Sequence, residues 1–101
     1  MMMTSLANVD ILDIASDLTT RPVGAAARKH LLGLLDEHES IEIDFHDRSL
    51  TPSFADECIG QLAAKIGLSS FRSRVKLLNV GESSRPLIRH VILTRCNNQT
   101  A

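Results

Sequence analysis

Between residues 41 and 57 the chain must change from strand to helix within a few residues, and no other segment restricts its fold as tightly. Ile41, Ile43 and Phe45 alternate with Glu42 and Asp44, the two-residue period of a strand with one buried face. A polar loop follows over residues 46–50. Thr51-Pro52 then reads as an N-cap and a first helical residue, because the N–H that proline lacks would have had no helical partner there. Ser53 with Asp56 three residues on is a second, overlapping capping pattern. A helix therefore starts within residues 51–54. Phe54, Cys58, Ile59, Leu62 and Ile66 fall on one of its faces, and Gly67 is placed to cap its end.

Strand and helix alternate in both directions from this segment. Residues 9–15 predict a first strand, with Ile11, Leu12 and Ile14 on its apolar side, and residues 17–20 a polar turn. Val23, Ala27, Leu31, Leu34 and Leu35 recur at three- and four-residue steps and predict a helix over 22–38, approached through Thr20-Arg21-Pro22. Residues 74–79 predict a third strand through Val75, Leu77 and Leu78. Past Gly81, Ser83 or Ser84 can cap a third helix carrying Leu87, Ile88, Val91 and Ile92. Val91-Ile92-Leu93-Thr94 also suits a strand, and the helix is the preferred reading. Helices of this length between strands act as crossovers, which join parallel strands. The expected fold is α/β, a small single-layer, mostly parallel sheet with packed helices. It forms one domain over 1–101, with a core at about 8–95 and frayed ends at 1–4 and 97–101. A chain of this size buries roughly 60–70% of its unfolded surface. With no Trp or Tyr and only three Phe, that core must be aliphatic.

The net charge of −1 hides a strong asymmetry. Residues 1–57 hold four Lys and Arg against eleven Asp and Glu, a net of −7, while residues 58–101 hold seven against one, a net of +6. In a folded domain the halves interleave and much of this charge pairs or is solvated. A sharper reading collects Arg72, Arg74, Arg85, Arg89 and Arg95 into a basic patch for an acidic partner, nucleotide or RNA. Without aromatic residues among these arginines for base stacking, nucleic acid is the weaker expectation. Three methionines followed by Thr4-Ser5, with no basic stretch and no long apolar run, predict neither a signal peptide nor a membrane span, so a cytoplasmic chain is expected.

Motifs for catalysis are missing where they would be sought. Gly24, Gly33, Gly60, Gly67 and Gly81 are isolated, so no phosphate loop forms, and there is no G-x-S-x-G elbow. His30, His38, His46 and His90 lack ligand spacing, and Cys58 and Cys96 lack metal or redox spacing, so both cysteines are expected to be free thiols. His46 is the one sequence-local base for Ser53 or Cys58. Asp44 and Asp47 either orient a reacting group or are simply strand-end and turn residues. No enzyme, metal or cofactor is expected. Ser53 and Thr51 remain the candidate modification or anion site, since a phosphate at a helix N-terminus meets free N–H groups and a favourable dipole. The structural alternative is that both are only helix caps.

Asp44-Phe45 with Ser53-Phe-Ala-Asp-Glu57 resembles the STAS-like family of unknown function. That family is a branch of the superfamily named for sulphate transporters and anti-sigma-factor antagonists. Arg21 is a weaker point of likeness, and the resemblance runs from about residue 11 to 91. In the antagonists an Asp-Ser-Ser/Thr-Gly motif opens the helix after the second core strand, and a partner kinase phosphorylates one of its hydroxyls. Aligned on Asp44, Ser53 falls on or next to that hydroxyl; Pro52 stands in place of the acidic residue, Phe54 of a small hydroxyl residue and Ala55 of glycine. The resemblance implies a regulatory module that docks a protein partner, such as a kinase-like ATPase of the anti-sigma type. Asp47, Phe54, Asp56 and Glu57 are the candidate docking residues. A small-molecule or nucleotide-binding domain, with the helix N-terminus as anion site, is the alternative.

Overall fold

The computed structural model describes residues 5–100, with side chains to residue 97. Three strands, β1 (Leu6–Asp10), β2 (Ser40–Asp44) and β3 (Val75–Leu78), form one sheet in the order β1-β2-β3. Both pairings are parallel. The expected α/β fold is therefore present, with an all-parallel sheet. Helix α1 (Ile11–Ile14) follows β1, and α2 (Arg21–Glu37) connects onward to β2. Helix α3, residues 52–66, and α4 (Leu68–Arg74) connect β2 to β3. A 3₁₀ turn (Glu82–Ser84) leads into α5 (Arg85–Thr100).

Register explains which side the helices cover. Val9, Ile43 and Leu77 stand side by side, as do Ala7, Ile41 and Val75. Four of these six are buried and Ala7 and Leu77 half-buried, so this is the core face. The opposite face carries the row Asn8, Glu42 and Lys76, where Lys76 Nζ lies 3.9 Å from Glu42 Oε2. That alternation of apolar and polar across the pleat is the period that marked β2 in the sequence. Ile41, Ile43, Phe45, Phe54, Ile59 and Leu62 are fully buried in one cluster that runs from Val9 to Cys96.

Several boundaries differ from expectation, each for a local reason. The first strand ends at Asp10 instead of continuing to residue 15, because Asp10 Oδ1 accepts a hydrogen bond from Leu12 N at 2.9 Å and caps a helical turn. This side-chain bond overrides the strand preference of the isoleucines that follow. Residues 68–74, for which no helix was expected, form α4. Gly67, with φ of 90°, ends α3 and lets α4 begin at once. The helical reading of residues 87–94 holds, and α5 extends through 97–100, where a frayed end was expected. The expected fraying of residues 1–4 lies outside the described residues, as does Ala101.

Helix α3 is not uniform. Between Pro52–Ala55 and Gln61–Ile66 it contains a π-helical turn, Asp56–Gly60, in which Gln61 N donates to the carbonyl of Asp56 five residues back. Helices α2 and α5 press against this turn. A Cβ on Gly60 would come within 3.2 Å of Val91 Cβ on α5, and one on Gly24 within 3.1 Å of Glu57 Cβ. Both crossings need glycine for close approach.

Candidate functional site

The loop after β2 is held from three directions. His46 and Asp47 adopt left-handed backbone conformations, with φ of 53° and 59°. Asp44 Oδ1 accepts from His46 N at 2.8 Å and from Asn79 Nδ2 at 3.1 Å, so this strand-end carboxylate shapes the turn that follows it. Asp47 N donates to the Asn79 carbonyl at 2.6 Å. Further on, Ser49 Oγ lies 3.3 Å from Ser83 Oγ, and buried Ser84 Oγ accepts from Leu50 N at 3.0 Å. Ser84 is thus spent on holding the loop. Thr51 N reaches the Leu18 carbonyl at 3.1 Å. His46, Asp47, Arg48 and Ser49 are exposed on this tethered frame.

Thr51 is the N-cap of α3, as its place before Pro52 predicts. Its Oγ1 accepts from Phe54 N at 3.2 Å and donates to the Thr19 carbonyl at 2.7 Å. One hydroxyl therefore closes the helix and ties it to the turn before α2. Ser53 lies in the first turn of the helix, half-buried, and its hydroxyl makes no hydrogen bond to the described residues. The two hydroxyls singled out in the sequence have separated roles: Thr51 is committed and Ser53 is not. Phe54 is fully buried. It anchors α3 in the core and does not reach a partner surface.

Asp56 and Glu57 are engaged with three arginines. Arg95 grips Asp56 with two parallel bonds, Nε to Oδ1 at 2.8 Å and Nη2 to Oδ2 at 2.6 Å. Arg21 Nη1 bridges Asp56 Oδ2 at 2.9 Å and Glu57 Oε1 at 3.0 Å. Arg28 Nη1 meets Glu57 Oε2 at 3.0 Å and the Glu57 carbonyl at 2.5 Å. The fork from Arg95, then Arg21, holds the Asp56 carboxyl down at about 2 against the opposing effect of burial. Arg28 first, then Arg21, lowers Glu57. The network joins α2, the π turn and α5. Arg21 and the Asp-Glu pair, both quoted in the sequence for their resemblance value, are in contact 35 and 36 residues apart.

His46 Nε2 pairs with Asp10 Oδ2 at 2.8 Å, which raises the imidazole pKa, while the Asp10 carboxylate is lowered first by the bond from Leu12 N–H and then by His46. The histidine is thus engaged at the ends of β1 and β2. Cys58 is fully buried, and desolvation pushes its thiol up to about 12. Both cysteines are free and buried. No group of metal-binding side chains occurs among the described residues, and no described helix is long and apolar enough to cross a membrane.

The arginines expected as one basic patch are divided. Arg74 caps the end of α2, donating from Nη2 to the carbonyls of Leu35 at 2.6 Å and His38 at 3.0 Å, and from Nε to that of Glu39 at 2.8 Å. Arg95 belongs to Asp56. Arg72, Arg85 and Arg89 are exposed and line one groove. The roles of Arg28 and Arg95 could not be read from the sequence, because nothing in their own spacing points across 29 and 39 residues to their partners.

A family model described as a STAS-like domain of unknown function matches residues 24–85. That span holds β2, the loop, all of α3, α4 and β3. Neither a comparison with curated proteins nor one with solved structures gave a match.

Proposed function

Because the chain belongs to the STAS-like domain family of unknown function, we propose that it is a regulatory protein–protein interaction module. It resembles the anti-sigma-factor antagonists and docks a protein partner through the loop at 46–51 and the start of α3. Phosphorylation of Ser53 switches that docking. A kinase-like ATPase of the anti-sigma type is the partner this reading expects, in a cytoplasmic setting.

The observation that carries the reading is the contrast between two hydroxyls two residues apart. Thr51 donates one hydrogen bond and accepts another, whereas the Ser53 hydroxyl is half-buried at the edge of a tethered, exposed loop with no bond to the described residues. A phosphoryl group on Ser53 would stand three and four residues before Asp56 and Glu57, but three guanidiniums already face those carboxylates. Repulsion within the helix is therefore reduced, and the added charge acts mainly outward, on whatever covers the loop. Asp47 stands on the exposed loop within this surface.

A small-anion site at the same helix end has less support. Pro52 lacks an N–H and the Phe54 N–H is taken by Thr51, which leaves Ser53 N–H as the donor in the first residues of the helix. Binding is also favoured over catalysis, since His46 is held by Asp10 and the Cys58 thiol is buried.

The test is affinity capture of the tagged domain from its own lysate, with and without ATP, with the intact mass read alongside. The expected result is a specific protein partner whose capture changes with ATP, together with a gain of one phosphate on Ser53. Ser53→Asp should reproduce the ATP effect, and Ser53→Ala should abolish it. Capture that is indifferent to ATP and to both substitutions would leave Ser53 without a switching role.

A further inference from the structure

A groove of about 410 Å³ lies between α4, α5 and the end of β3, and its lining includes neither Thr51 nor Ser53. Phe71 and Ile88 in its lining are buried, Leu77 and Ile92 half-buried, and Leu93 is 39% exposed. The concavity is therefore apolar within and open to solvent. Its charged lining consists of Arg72, Arg85 and Arg89 alone, with no carboxylate.

None of these three arginines has a hydrogen bond or ion pair among the described residues, whereas Arg21, Arg28, Arg74 and Arg95 are all engaged. Arg85 and Arg89 are four residues apart on α5, where like charges repel along one helix face. Arg72 adds a third cation from α4. An uncompensated triple cation around an apolar concavity is complementary to one ligand chemistry, an apolar body with an anionic head. Guanidinium is suited to a planar carboxylate, which it grips through paired N–H groups. The groove volume falls in the range of small-molecule sites.

We propose that this groove binds a small amphiphilic carboxylate, its aliphatic chain lying against Phe71, Ile88, Ile92 and Leu93 and its head on Arg72, Arg85 and Arg89. The site is separate from the Ser53 turn and does not rest on the docking reading.

Titration of the full chain with decanoate, kept below the concentration at which it forms micelles, tests the assignment by calorimetry and by chemical-shift mapping. The expected result is saturable one-site binding with shifts centred on Phe71, Ile88 and Ile92. Uncharged decanol should bind roughly tenfold more weakly or worse. The double substitution R85Q/R89Q should lose a similar factor while leaving the melting temperature unchanged. Four results would overturn the proposal: no saturable binding up to about 1 mM, equal affinity for decanol, full binding by the double variant, or shifts centred elsewhere. Association with anionic vesicles but not with monomeric decanoate would equally overturn it in favour of a surface attraction.

Discussion

Asp56→Asn keeps the shape of the side chain and removes its charge from beneath two guanidiniums, so it isolates the electrostatic part of the α2–α3–α5 junction. In the folded chain this carboxyl is held at about 2, against 3.8 for an ordinary aspartate. The difference corresponds to about 2 kcal/mol at neutral pH, after a modest allowance for the solvent exposure of Arg21. Because the folded value lies below the unfolded one, the stabilisation is complete above the unfolded value and is lost as pH falls through the folded one. Roughly half of it should remain near pH 3. Urea unfolding of wild type and variant should therefore differ by about 2 kcal/mol at pH 7 and by about 1 kcal/mol at pH 3. At neutral pH the melting temperature of the variant should fall by about 10 °C. A gap of the same size at both pH values would refute the reasoning, because a packing defect does not titrate.

Four other substitutions and one thiol label read separate parts of the molecule. Thr51→Ala should cost about 1–2 kcal/mol in chemical denaturation, whereas Ser53→Ala should change stability by no more than about 0.5 kcal/mol; equal costs would mean that the two hydroxyls share the cap. Arg74→Met should destabilise by about 2 kcal/mol through loss of its bonds to the α2 carbonyls, and Arg74→Lys should restore less than half of this, since one ammonium does not reproduce the planar fork. Complete rescue by lysine would show that charge alone matters there. The Cys58 thiol, buried and pushed up to about 12, should react with a thiol reagent at pH 8 no faster than the chain unfolds; modification at the rate of a free thiol would contradict its burial.

What could be read in the sequence was set by bonds between near neighbours. The alternation at Ile41–Phe45, the Thr51-Pro52 start and the glycine at 67 each act within a few residues, and each appears in the structure where it was expected. The parallel sheet followed from the lengths of the helices between strands. The first strand was misplaced because Ile11, Leu12 and Ile14 suit strand and helix alike, and one hydrogen bond from Asp10 decided between them. Helix α4 was missed because seven residues give barely two turns of periodicity. At the candidate site, the sequence marked Thr51 and Ser53 together, and the bonds of Thr51 to Phe54 N and to the Thr19 carbonyl, 32 residues away, distinguish them. The fates of Asp56, Glu57, Arg74 and Arg95 depend likewise on partners set by tertiary packing, which no local pattern encodes.

The π turn at Asp56–Gly60 also constrains how the length of this chain can vary. The π turn holds one residue more than the α-helical turn it replaces and absorbs it by widening, so loss of one residue within the turn would give a continuous α-helix whose two ends keep their phase. Leu62 and Ile66 would stay on the core face and Asp56 and Glu57 on the side of Arg21, Arg28 and Arg95. A chain aligned to this one with a single gap between residues 58 and 60 can therefore keep the same arrangement of three helices. What it would lose is the widened turn itself, and with it the close approach of Gly60 to Val91 on α5.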